Sequence, residues 1–124
     1  MKKLLLLLII PLLSFGQRLD VCAIEYYEDG KYMLRKEVRC MHDGTKRFED
    51  HYKMNKRHGP WREWDVDGIL IKEGEYTNGI RTGLWKEYWP NGQVQCQWFC
   101  DGTGRSHSDD QKDIKCFDEQ GNPY

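Results

Sequence analysis

Gly83-Leu84-Trp85-Lys86-Glu87-Tyr88-Trp89-Pro90-Asn91-Gly92 decides the fold, because the chain has already used it once. Twenty-four residues earlier it reads Gly59-Pro60-Trp61-Arg62-Glu63-Trp64-Asp65-Val66-Asp67-Gly68. The same step of 24 links Gly44, Gly68 and Gly92, each preceded by Asp or Asn, and links Tyr52, Tyr76 and Cys100. The period is clearest over residues 43–102. Beyond it, Ile114-Lys115-Cys116-Phe117 before Gln120-Gly121 repeats the motif after five extra residues, which places an insertion at 102–113. Gly30 stands only 14 residues before Gly44, so the first unit is expected to be truncated. Atypical ends are usual in stacked arrays.

Asp-Gly and Asn-Gly favour turns with positive φ and so mark β-hairpins. Two-residue turns are expected at Asp29-Gly30, Asp43-Gly44, Asp67-Gly68, Asn78-Gly79, Asn91-Gly92 and Gln120-Gly121. Between them lie runs of strand length. In Gln93 to Cys100, Val94, Cys96, Trp98 and Cys100 alternate with three glutamines, one dry face and one wet. Leu70 and Phe48 are expected on the same dry face. Trp61 and Trp64 are three apart, so a bulge brings them together or one covers the outer face. The fold class is therefore all-β: a single-layer meander of stacked antiparallel hairpins with almost no helix.

Gly83 to Gly92, with Gly74-Glu75-Tyr76-Thr77-Asn78-Gly79 as its tail, resembles the bacterial variant of the MORN repeat. The resemblance implies an elongated β-hairpin array that binds rather than catalyses. Many such proteins are grouped with antitoxins of toxin–antitoxin pairs, and others are treated as scaffolds. This chain departs from the pattern in its five cysteines and its polar insertion.

Residues 1–16 read as a cleavable signal peptide: Met1-Lys2-Lys3, a ten-residue apolar run from Leu4 to Leu13, then Ser14-Phe15-Gly16. The run is about half of a membrane span. Cleavage after Gly16 leaves a domain at 17–124, secreted or periplasmic, with all five cysteines in an oxidising compartment. Cys96 and Cys100 share a strand about 13 Å apart, too far for a bond that needs about 7 Å. Cys22–Cys40 and Cys100–Cys116 are favoured, with Cys96 free or intermolecular, and Cys96–Cys116 stands close behind. Cys96, Cys100, His107 and Cys116 could converge on zinc, but three residues between two strand cysteines is a poor ligand spacing. No metal, cofactor or catalytic residue is assigned. Neither a nucleophile with its base nor a phosphate-cradling glycine loop can be traced.

The formal charge is −1, with 31% charged residues, 13% aromatics and a mean hydropathy of −0.83. Such a chain is no polycation for nucleic acid, and its aromatics argue against disorder. Trp61, Trp64, Trp85, Tyr88, Trp89 and Trp98 exceed what a thin core needs, and are expected to anchor an unidentified protein partner. The loop at 102–113 is expected at the border of that site. The function expected is an exported, non-catalytic protein-binding module, antitoxin- or immunity-like. The alternative is a structural or envelope-associated scaffold that touches lipid headgroups through Lys53, Lys56, Arg57 and His58.

Overall fold

The computed structural model describes residues 3–4, 20–104 and 113–124. The leader expected at 1–16 lies outside them but for two residues, and so does most of the loop at 102–113, with His107. The strands are β1 (Lys3–Leu4), β2 (Asp20–Asp29), β3 (Tyr32–Cys40), β4 (Lys46–Lys53), β5 (Lys56–Arg57), β6 (Gly59–Trp64), β7 (Leu70–Thr77), β8 (Ile80–Tyr88), β9 (Val94–Asp101) and β10 (Lys115–Cys116). They form one antiparallel sheet in the order β1-β2-β3-β4-β6-β7-β8-β9-β10, with β5 also on β4. Among the described residues there is no α-helix. The hairpin meander expected from the repeat is the fold observed.

Two kinds of turn alternate along it. On one side of the sheet the loops have three residues. Trp89 N donates to Gln93 O and Gly92 N to Trp89 O, at 2.8 and 2.9 Å, and the same pair of bonds recurs at Asp65–Ile69, Met41–Thr45 and Asp118–Asn122. Each is a type I turn closed by a left-handed glycine, so these are not the two-residue turns expected. True two-residue turns lie on the opposite side, at Met54-Asn55 and Asn78-Gly79, all four residues having positive φ. Gly30-Lys31, between Asp29 and Tyr32, is 24 residues before Met54-Asn55. Gly30 is thus in phase with Met54, not with Gly44, and the first unit is complete rather than truncated.

The two faces of the sheet are unlike. On the inner face Phe48, Trp61, Trp85 and Trp98 form a ladder across β4, β6, β8 and β9, with ring centroids 6.1, 5.4 and 6.5 Å apart. Tyr76 meets Trp85 edge-on at 5.3 Å. Trp61, Trp85 and Trp98 are 8, 0 and 4% exposed, and with Cys100 they are the core. That corrects their assignment as protruding partner anchors: the rings pack against one another instead of standing out of the sheet. Cations complete the layer that one sheet cannot supply. Arg39 lies over Phe48, Arg57 over Tyr76, Arg81 over Trp85 and Lys72 over Trp98.

Trp64 and Tyr88 fall on the outer face. Trp64 lies under the Lys46 ammonium, 4.1 Å away, and Tyr88 donates its hydroxyl to Glu73. No bulge brings Trp64 to the side of Trp61. The bulges that do occur give β7 and β9 an extra residue, so Leu70 pairs with Trp64 and Val94 with Tyr88. Residues directly opposite share a face. Leu70 and Val94 therefore lie outside, contrary to strict alternation.

Disulfides close both ends of the array. Cys22 joins Cys40, with Cα atoms 5.7 Å apart, and Cys96 joins Cys116 at 4.1 Å. The favoured Cys100–Cys116 pairing, and Cys96 as the odd thiol, are therefore corrected. Lys115 pairs with Gln97, and that register sets Cys116 opposite Cys96. Cys100 is a thiol, 2% exposed in the tryptophan core. Non-reducing peptide maps should show the two bridges, and alkylation of native protein should spare Cys100 until denaturant is added. Labelling at Cys96 would contradict the register.

Candidate functional site

The glycine at position 74 explains how the core closes. Glu73 pairs with Lys86 and Glu75 with Thr82, so Gly83, Leu84 and Trp85 bulge opposite Gly74 alone. Gly83 takes φ +70°, which turns the bulge. The Trp85 indole then lies flat over Gly74, in space that any Cβ would occupy. One unit earlier the same place belongs to Asp50, which is fully buried. It accepts from Arg39 Nη2 at 2.7 Å and pairs with Arg57 Nε at 2.8 Å. A buried carboxylate between two guanidiniums ties β3, β4 and β5 together.

The outer face carries a ladder of alternating charge. Glu25 pairs with Lys36, Lys36 with Glu49, Glu49 with Arg62 and Arg62 with Glu73, at 3.8, 3.8, 2.9 and 3.6 Å. Lys46 adds a 2.7 Å contact to Glu49. Lys86 extends the row on β8, opposite Glu73. Burial opposes ionisation of Glu49, but the Lys46 hydrogen bond and the charges of Lys36, Lys46 and Arg62 outweigh it and hold its carboxyl below the ordinary value. For Tyr88, burial and then the bond to Glu73 push the phenol up.

The Glu49 shift has a definite sign. Its folded pKa is depressed, so its stabilisation is complete above the unfolded value of about 4.3 and is lost as pH falls through the folded one. Parent protein should lose melting temperature below about pH 4 more steeply than Glu49→Gln. Parallel curves would remove Glu49 from the account.

Beside the ladder lies a groove of about 310 Å³, lined by Pro60, Arg62, Glu73, Glu75, Leu84 and Lys86, with Gly74 and Trp61 as its floor. Leu84 and Phe99 are direct cross-strand partners at its edge, 48 and 60% exposed. Trp64, Tyr88 and Trp89 are half-buried. Trp89 donates its indole N–H to Phe117 O at 2.9 Å, which pins the C-terminal turn rather than reaching outward. The expected anchors are thus divided: three form the core, and three brace the outer face and the C-terminal turn. Leu84 and Phe99 are not among the expected anchors. Their signal was available, since each sits one residue from a core tryptophan and must point the other way.

The cysteines considered for zinc are not gathered. Cys96 and Cys116 are bonded to each other, and no group of three or more metal-ligating residues converges among the described residues. Residues 57–78 and 81–99 match the family model described as MORN repeat variant. These are the two units that enclose Gly74 and the groove. Neither the curated proteins nor the solved structures contain a significant match to the chain.

Proposed function

We propose that this chain, two of whose units match the MORN repeat variant, is a non-catalytic protein-binding module exported from the cytoplasm. The observation that carries the reading is the inequality of the two faces. From β4 to β9 the inner face is closed by its own tryptophans and arginines, while the outer face leaves Leu84 and Phe99 open beside a charged groove. Exposed apolar residues rimmed by charge mark protein contacts. The two disulfides support an oxidising compartment. The finer proposal is antitoxin- or immunity-like capture of a toxic protein outside the cytoplasm, by a chain starting at Gln17.

The test compares two baits in a cross-linked envelope extract, the parent and a Leu84→Glu/Phe99→Glu double variant. A protein held by the parent and lost by the variant, at unchanged melting temperature, supports the reading. Identical capture by both baits places the contact elsewhere and overturns it. Intact mass of the exported species should begin at Gln17, and retention of residues 1–16 would overturn the leader.

A further inference from the structure

The charge ladder of the outer face reads, from β2 to β8, Glu25, Lys36, Glu49, Arg62, Glu73, Lys86. Its signs alternate and its length is even, so it is complementary to its own reverse. A two-fold axis lying in the plane of the face, perpendicular to the ladder and crossing it between Glu49 and Arg62, sets every acid of one copy against a base of the other. Glu25 then meets Lys86, Lys36 meets Glu73, and Glu49 meets Arg62. An odd or blocked pattern would bring like charges together, which costs several kcal/mol at a contact.

The ends of the ladder matter most. Its middle is satisfied within the chain: Glu49 is 5% exposed and has Lys36, Lys46 and Arg62 around it. Lys86 makes no ion pair among the described residues, because the Glu73 carboxylate already receives Arg62 and the Tyr88 hydroxyl. Glu25 has one partner, Lys36, at 3.8 Å. The same rotation carries Leu84 and Phe99 onto β2 of the other copy, where Tyr27 is the aromatic of this face. Tyr27 stands edge-on to His51 at 6.5 Å. Apolar surface left open in one copy is thereby covered twice, once at each end of the pair.

We propose that two copies of this chain associate through their outer faces as an isologous dimer, with Glu25–Lys86 pairs at its two ends and Leu84 and Phe99 seated on the partner's β2. The proposal rests on the outer face being the contact surface. It adds that this surface is self-complementary, so a second copy and a foreign protein compete for it.

The experiment is a charge swap read by sedimentation equilibrium on the mature, oxidised chain. The parent should show a monomer–dimer equilibrium that weakens with salt. Lys86→Glu alone and Glu25→Lys alone should each weaken it by at least about tenfold, since each puts like charges at both ends. Mixing the two variants in equal amounts should restore dimer, because every end contact in the mixed pair is again opposite in sign. Circular dichroism checks that both variants keep the sheet. A parent that stays monomeric, single reversals that dimerise like the parent, or a mixture that does not recover each overturn the proposal. A monomeric parent whose Leu84→Glu/Phe99→Glu form still loses its captured protein overturns the dimer alone and leaves the binding-module reading standing.

Discussion

Gly74→Ala is expected to destabilise the domain by about 3 kcal/mol or more, at the upper end of overpacking costs. The added methyl would enter the space of Trp85 Cδ2, Cε2 and Cε3. The indole has nowhere to go. It is fully buried, with Trp61 at 5.4 Å, Tyr76 at 5.3 Å and Trp98 at 6.5 Å. The backbone at Gly74 has no positive φ, so the cost comes from the collision and not from the conformation. For a domain of this size the melting temperature should fall by roughly 10–20 °C. Trp85→Leu in the Gly74→Ala background should recover part of the loss, although Trp85→Leu alone destabilises the parent. That coupling separates a clash from a general intolerance at the site. Gly74→Ala melting with the parent would mean the indole does not lie where it is described.

Asp50→Ala should also be costly, about 3 kcal/mol, the low end of the penalty for breaking a buried ionic cluster because Arg39 and Arg57 keep partial access to water. It would leave the Arg39 and Arg57 guanidiniums facing each other without the carboxylate that now separates them. Arg57→Met in the same background should be milder than the sum of the single changes, since the second cation then no longer lacks a partner. Urea unfolding would read this as a shift in midpoint at constant slope. A midpoint within experimental error of the parent would show that the cluster contributes nothing.

Gly74 and Asp50 occupy one position of the repeat, and their contrast shows what the sequence could and could not disclose. The period, the hairpins and the layer were legible, because Trp61 and Trp85 recur with their glycines at a fixed step. The phase was misread at Gly30, because its equivalents, Met54 and Asn78, are not glycine although they take positive φ. A turn defined by conformation need not keep its residue. The Cys22–Cys40 bridge was legible, but the partner of Cys116 was not, for a different reason. It depends on how the chain re-enters after the insertion, and only the Lys115–Gln97 register fixes that. Nothing local in the sequence sets Asp50 apart from its acidic neighbour Glu49. Only aligning it with Gly74 and Trp98 reveals that it occupies the buried row. Leu84 and Phe99 could have been found by counting one residue from each core tryptophan.

One disulfide bridges β2 and β3 and the other β9 and β10, spanning 18 residues near one end of the sheet and 20 near the other. A tensile load applied to the two chain ends therefore runs through Cys22 to Cys40 and through Cys96 to Cys116 by way of sulfur. The chain enclosed by each bridge carries no load and adds no length. Between the two bridges only the chain from Cys40 to Cys96 can pay out, and it holds Phe48, Trp61 and Trp85 of the ladder, and Asp50 with Arg57. A meander pulled from its ends would ordinarily unzip one strand at a time from the weakest edge. This one meets force first at the β3–β4 and β8–β9 boundaries, inside both bridged ends, and a reductant is what would return the slack of the two terminal loops to the tether.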